Sequence, residues 1–276
     1  VSQSLMRNPS VQDVYEPGST GKIMTLAAAL EEKKITPETV LSVPYSLKRG
    51  GDTFHDHERH PVQYLTTSGI LAVSSNTGTI KIGEMLSNDK LHSYLTKFGI
   101  GVSTGSGLPG ESKGLFRPVS DWSGTTAPTV AFGQGYSVTA MQATSIFATI
   151  ANDGVRVSPT VIAGTSDTTG KFTQATARTT ERVVSAKTAQ QVRLMMESVV
   201  SGQGTAPSAA IPGYRVAGKT GTAERYNVDC GCYSGYTASF IGFAPADAPK
   251  YVVSVTIQDP KGSYYGGSLG GPVFKK

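Results

Sequence analysis

The sequence predicts a mixed α/β fold, an antiparallel sheet flanked by helices, with the helices first and the strands last. Three observations carry this. Apolar residues recur at Ile23, Leu26, Ala27 and Leu30, the i, i+3, i+4, i+7 spacing of one helix face. Two further helical patterns cover Ala140–Ala151 and Ala186–Val200, the second ending near Gly202. The last third changes character: residues 214–224, 236–244 and Tyr251–Gln258 read as strands, and PADAP links the last two as a hairpin-like connector.

The first helix opens on YEPGSTGK, residues 15–22, where Ser19 and Lys22 stand one turn apart. Two readings are open. Ser19 can be an N-cap, its oxygen accepting a first-turn N–H, with Lys22 solvated although the helix dipole disfavours a cation there. Alternatively Ser19 is a nucleophile. Residues three apart share a helix face, a hydroxyl needs a neighbouring base to attack, and a desolvated Lys can be that base. The helix N-terminus would then aim N–H groups at an oxyanion.

Further along, EEKKITPETV leads to a short extended piece, Val40–Val43. GGDTFHDHERHP reads as a polar surface loop; its His55, His57 and His60 lack the helical His-Glu-x-x-His spacing, and no metal site is expected. A helical pattern over 65–73 is interrupted by Ser74-Ser75-Asn76. Helical pieces over 79–86 and 89–98 follow, the latter capped by Asn88 and stopped by Gly99 and Gly101. Residues 102–128, rich in Gly, Ser and Pro, read as a long ordered loop. The strand Tyr251–Gln258 alternates little and is rich in Val, so it reads as an interior strand buried on both faces.

Composition narrows the function classes. The 276 residues suit one large domain, and 38% hydrophobic with 16% charged residues can bury a core. The net charge of +5 is spread out, with no Lys/Arg stripe of the kind that binds nucleic acid. No apolar run reaches the length of a bilayer span, which leaves open an anchor upstream. Cys230 and Cys232, one residue apart in DCGCY, do not make a structural zinc site by themselves; they read as a loop feature whose oxidation state stays open.

Ser74-Ser75-Asn76 and Lys219-Thr220-Gly221 are each uninformative alone. With Ser19-x-x-Lys22, in this order and widely separated, they match the three-part signature of penicillin-interacting serine enzymes. The likeness extends further. YEPGSTGK resembles the first motif of class B penicillin-binding proteins, and LTTSGILAVSSNTG resembles their second-motif helix and turn. GLPGESKG, FGQGYSVTAMQ and GKTGTAE follow in the family's order, so the resemblance spans nearly the whole chain. CGCYSGYTASFIGFAPAD with GGPVFKK looks most like the cell-division member of actinobacteria. Gly21 departs from the pattern: it stands where the family often has Phe, at a position read as tolerant of change.

This resemblance implies a penicillin-binding transpeptidase or serine β-lactamase-like fold with a helical subdomain. It implies that residues 1–276 form one transpeptidase domain incomplete at both termini. Two strands and a helix normally precede the first motif, a helix follows GGPVF, and three strands are expected here where the family sheet has five. The implied activity is peptidoglycan D,D-transpeptidation. Ser19 would attack the penultimate carbonyl of a peptide ending in D-Ala-D-Ala, and Lys22 would take its proton. Ser74 would relay a proton to the leaving amine, and Asn76 would bind the acyl amide and hold Lys22. Lys219, Thr220 and Thr222 would receive the terminal carboxylate, and Gly221 would leave room for substrate beside the strand. The N–H groups of Ser19 and Thr222 would form the oxyanion hole. No cofactor or metal is implied. The implied partners are stem peptides, β-lactam antibiotics and cell-division membrane proteins, with no nucleic acid. The implied place is the extracytoplasmic face of the plasma membrane. Two alternatives keep the same motifs: a serine β-lactamase and a non-enzymatic β-lactam sensor. The β-lactamase needs a water-activating group, for which Glu84, Glu111 and Glu181 are candidates, Glu111 reading as structural within LPGE.

Overall fold

The computed structural model describes residues 6–175, 179–227 and 230–276. The helices are α1 (Pro9–Gln12), α2 (Lys22–Glu31), α3 (Thr67–Ala72), α4 (Asn76–Gly83), α5 (Asn88–Lys97), α6 (Thr126–Ala131), α7 (Ala140–Ala151), α8 (Ala186–Val200) and α9 (Gly266–Lys275). The main sheet is antiparallel, in the order β11 (Ala217–Asn227), β12 (Cys232–Ala244), β13 (Tyr251–Gln258). The other strands form short pairs: β1 (Val14–Tyr15) with β6 (Val138–Thr139), β7 (Val155–Val157) with β10 (Thr180–Arg182), β8 (Gly164–Ser166) with β9 (Phe172–Gln174), and, of these the two that matter to the site, β2 (Val40–Val43) with β5 (Gln63–Thr66) and β3 (Ser46–Arg49) with β4 (Asp52–His55). The mixed α/β reading and the helices-then-meander order hold.

The core is built around α2. Every residue from Lys22 to Leu30 is buried, so this helix is central rather than amphipathic, and it packs on α4, α5 and α8. One-face periodicity under-reads it because Ala28, Ala29 and Thr25 fill the remaining faces with small side chains that let neighbours approach. Ser239 and Phe240, adjacent on β12, point to opposite faces of the sheet. Ser239 meets the turn before α2, and Phe240 meets α9.

Several elements differ from expectation. The pattern over 65–73 splits into β5 and α3, with Thr66 capping the helix by accepting from Gly69 N at 3.0 Å. Ser87, not Asn88, caps α5. The loop expected at 50–61 contains half of the β3–β4 hairpin, whose Gly50 and Gly51 turn residues have φ of +58° and +98°. Positive φ at both centres is what a tight two-residue hairpin turn needs, and the Gly-Gly pair was its signal. Residues 102–128 are mostly loop, as expected, but end inside α6.

β11 and β12 pair beyond their expected ends. A register shift between Glu224 and Tyr226 lets pairing resume at Tyr226 and Tyr233, whose rings meet edge to face. A disulfide joins Cys230 to Cys232 at the tip, which answers the open redox question. β13 is not buried on both faces: it pairs with β12 alone among the described residues, and Tyr251 (78%) and Val253 (41%) are exposed. Val252 and Val255, three apart and so on opposite faces, both pack in part against the core, so each face of the strand is half covered.

The helix α9 was missed because GGSLGGPVFK has four Gly and a Pro, poor helix formers. Packing overrides propensity here. A Cβ on Gly270 would stand 2.7 Å from Phe240 Cβ, so the bare helix face lets α9 lie directly on β12. Phe274 completes the contact, its ring 4.9 Å from that of Phe240.

Candidate active site

Ser19 lies in a 3-10 turn, Gly18–Gly21, that runs straight into α2. Neither the turn nor the helix has a side-chain cap bond, so Ser19 is not the N-cap that one reading required. The turn is held from two sides. Gly18 N donates to Gly133 O at 2.9 Å, and Gly18, at φ +54°, packs closely on the backbone of Thr222 and on Ala223. This sets Ser19 beside β11, an edge strand of the sheet, on a cleft of about 950 Å³.

Lys22 is not solvated. It is fully buried, and its Nζ donates to the Ser74 carbonyl, to Ser74 Oγ at 3.2 Å and to Asn76 Oδ1 at 2.7 Å. Ser19 is not among these acceptors. Burial lowers the Lys22 pKa to about 7, with the negative charge of Asp56 opposing. A charged amine would spend all three protons on these bonds, whereas the neutral amine keeps a lone pair.

The three acceptors come from one turn. Ser74 links α3 to α4 at φ +60°, a left-handed conformation unusual for Ser. Such strain, of order 1–3 kcal/mol, persists only where the surroundings enforce it. Ser75 caps α4 through Gly78 N at 2.9 Å, and Asn76 opens the helix with its Nδ2 on His55 O at 3.0 Å.

Lys219 is the second buried amine. Its Nζ donates to Ser74 Oγ at 2.8 Å and to the carbonyl and hydroxyl of Thr220, both at 3.3 Å. Burial, and then the charge of Lys22, lower its pKa well below the usual range. Thr220 Oγ1 shares a 2.9 Å bond with Thr205 Oγ1, and Thr222 Oγ1 accepts from Gly266 N at 3.2 Å. Thr220 and Thr222 both line the cleft.

Two glycine readings change. A side chain on Gly221 would meet Ser239 Oγ at 2.4 Å, Pro17 O at 2.9 Å and Thr20 Cγ2 at 3.0 Å. The missing side chain therefore admits the turn that carries Ser19, not a substrate. Gly21 does not sit in tolerant space: a Cβ there would stand 2.3 Å from the Tyr136 hydroxyl and 2.9 Å from Gly133 Cα.

The histidine loop is polar and mostly exposed, as expected, but it has a further place. It forms a wall of the cleft rather than an outlying surface, because β3–β4 and α4 draw it in. Its Asp56 is 7% exposed and binds the start of α4. His57 Nε2 lies 2.9 Å from Tyr265 OH on the opposite wall, where Tyr236 and Tyr264 stack. Sequence reasoning missed Asp56, Thr205 and these tyrosines. Tyr264 and Tyr265 had only the signal SYYGG, Tyr236 only its place at the start of an expected strand, and Asp56 had none.

The candidate water-activating acids lie outside the cleft lining. Glu84 pairs with Arg49, Glu181 with Arg156 at 2.7 Å, and Glu111 accepts from Thr104 N at 2.6 Å and Ser106 Oγ at 3.2 Å. Acids that do line it are Asp56, Glu58 and Glu224.

Residues 2–276 match the family model of the penicillin binding protein transpeptidase domain. The chain is 44% identical over 261 residues to penicillin-binding protein PbpB of Mycobacterium tuberculosis, covering 92% of this chain and 38% of that protein. It is 36% identical over 271 residues to the peptidoglycan D,D-transpeptidase FtsI of Escherichia coli K12, covering 98% and 44%. The crystal structure of penicillin binding protein 3 from M. tuberculosis in complex with aztreonam superposes with a TM-score of 0.92 at 43% identity, covering 97% of this chain and 62% of that one. The chain spans about two fifths of the length of the curated relatives it matches.

Proposed function

The chain belongs to the penicillin-binding protein transpeptidase family, and from that premise we propose that it cross-links peptidoglycan stem peptides through an acyl-enzyme on Ser19. The observation that carries this is the buried Lys22 amine, one helical turn along the chain from Ser19 and fastened to Ser74 and Asn76; burial lowers its pKa to about 7. A base poised near neutral pH is what general-base catalysis needs.

In this reading Ser19 Oγ bonds to the penultimate carbonyl carbon of a peptide ending in D-Ala-D-Ala, and its proton passes to neutral Lys22. The N–H groups of Ser19 and Thr222 receive the oxyanion; losing one such donor costs about 3–4 kcal/mol of transition-state stabilisation. Collapse breaks the peptide C–N bond, and Ser74, bonded to both amines, passes a proton to the leaving D-Ala. An amine of a second stem peptide then attacks the ester, forms the cross-link and frees Ser19. Lys219, Thr220 and Thr222 hold the substrate carboxylate, a cation and two hydroxyls suiting an anion. Asn76 binds the acyl amide with what hydrogen-bonding capacity Lys22 and His55 leave it.

β-Lactams would acylate the same hydroxyl. The chain would work at the extracytoplasmic face of the plasma membrane with cell-division membrane proteins. Among the described residues no helix is long and apolar enough to cross a membrane. Glu84, Glu111 and Glu181 are tied up away from the cleft, which removes these three as water-activating groups for β-lactam hydrolysis.

The test is covalent labelling with a fluorescent penicillin, followed by intact mass over hours. Wild type should carry a lasting single adduct, and Ser19→Ala should carry none while unfolding at nearly the same urea concentration. Rapid loss of the adduct would indicate a β-lactamase instead. A donor-plus-acceptor peptide assay separates the transpeptidase from a sensor.

A further inference from the structure

Asp56 is a buried carboxylate that the catalytic scheme above does not use, and both of its oxygens are engaged. Oδ1 accepts from Thr77 N at 2.9 Å; Oδ2 accepts from Ser75 Oγ at 2.6 Å and lies 3.1 Å from His60 Nε2. Its own N–H donates to Tyr45 O at 2.9 Å, and the preceding carbonyl, His55 O, takes Asn76 Nδ2. Residues 55 and 56 thus grip Ser75, Asn76 and Thr77 in succession. That grip fixes the turn whose other side presents Ser74 O, Ser74 Oγ and Asn76 Oδ1 to Lys22.

We propose that Asp56 is a positioning residue for Lys22: it clamps the turn that holds the amine and supplies the anion the amine senses, with His60 as its counter-charge. The inference rests on the reading of Lys22 as a base.

The arrangement has an electrostatic consequence. The charged or titratable groups around this centre are His60, with Tyr45 edge-on to its ring and His55 and Arg59 packed on Tyr45, Lys22 from α2 and Lys219 from β11; α4 offers hydroxyls and amides here, its Lys81 reaching to Ser42 O instead. Burial drives the Lys22 proton off, and Asp56 is the group that opposes it. When His60 is protonated it offsets Asp56, so Lys22 should hold its proton less tightly. The His60 pKa is raised, by its bond to Pro61 O and by Asp56 against the effect of burial, so the protonated form that offsets Asp56 persists to higher pH than in an ordinary imidazole. Asp56 and His60 should therefore push Lys22 in opposite directions, which a purely structural clamp would not do.

The experiment is an NMR titration of Lys22 in the full chain carrying carbon-13 lysine, with the signal assigned by its loss in Lys22→Arg. Asp56→Asn keeps the shape and removes the charge; the Lys22 midpoint should fall by roughly half a unit or more. His60→Gln should move it upward. The acid limb of penicillin acylation should shift with each. A uniform loss of acylation at an unchanged midpoint in both variants would overturn the proposal. Should Asp56→Asn fail to fold, His60→Gln decides alone, and an unmoved midpoint overturns it. The titration needs no catalysis: a Lys22 midpoint that depends on Asp56 in a protein that takes no penicillin would defeat the transpeptidase reading and leave this one standing.

Discussion

Lys22 and Lys219 converge on one acceptor, the Ser74 hydroxyl, at 3.2 and 2.8 Å. Two ammonium groups sharing a buried oxygen repel, so their protons are linked and the pair titrates as a unit. A substrate carboxylate at Thr220 and Thr222 would favour charge on Lys219 and thereby discourage it on Lys22. Recognition of the substrate would then help to free the base.

This linkage predicts the outcome of Lys219→Met. With a substrate carboxylate bound, Lys219 is charged, and removing that like charge raises the pKa of the amine that remains. The acid limb of acylation should move to higher pH than in wild type, along with a loss of affinity for substrates bearing the carboxylate. A pH profile of fluorescent-penicillin acylation reads both, and a limb that stays in place would break the linkage.

Lys22→Arg keeps a charge that cannot be removed at working pH. If Lys22 is the base, acylation should fall by about 10²–10⁴-fold, the usual share of general-base catalysis. A stopped-flow acylation rate near that of wild type would demote Lys22 to holding Ser74 and Asn76.

The same amine should make the fold less stable at neutral pH. In the folded chain its pKa is about 7, against an ordinary 10.5. Across that window the unfolded chain binds the extra proton, so stability rises with pH, and below it the penalty is constant. Lys219, lowered by the same burial, acts with the same sign. Lys22→Met should therefore resist urea better than wild type near pH ~7, with the advantage shrinking toward pH ~10. Parallel pH dependence of the two urea midpoints would refute this account.

What the sequence made legible follows from range. α7, α8 and β13 appear with their expected bounds because each is set by local sequence, the helices by their periodicity and β13 by its run of β-branched residues. Ser19, Lys22, Ser74, Asn76, Lys219, Thr220 and Thr222 were named from three short motifs, and the folded chain brings them around one cleft. The misreadings are all tertiary. Gly221 looked like space for substrate because nothing local says that Pro17 and Thr20 fill that side. Asp56 looked like one acid in a polar loop because its partners, Ser75 and Thr77, lie on another element. α9 was invisible because its glycines serve close approach to other elements, Gly266 to Ser239, Gly267 to Thr205 and Gly270 to Phe240, not the helix itself.

Gly21 and Tyr136 make the remaining prediction. Gly21 is helical in conformation, with φ of −69°, so a side chain there meets no backbone strain. What it meets is the Tyr136 hydroxyl at 2.3 Å, at the end of a rigid ring that is 3% exposed. Among the described residues that buried hydroxyl has no hydrogen-bond partner, so Tyr136→Phe removes an unsatisfied polar group and should cost little or even stabilise. Gly21→Ala alone should destabilise by about 1–3 kcal/mol, the usual range for overpacking. In the Tyr136→Phe background the nearest ring atom to the new methyl is Cζ, at 3.6 Å in the present geometry, an ordinary contact. Part of the cost should then vanish, leaving the share due to Gly133 Cα at 2.9 Å. Neighbouring residues typically couple by about 0.5–3 kcal/mol, and a double-mutant cycle in urea measures that directly. Because Gly21 sits between Ser19 and Lys22, Gly21→Ala should also slow acylation, and Tyr136→Phe should restore part of the rate. Additive stabilities, within about 0.3 kcal/mol, would mean that the turn yields freely and that Tyr136 does not hold it.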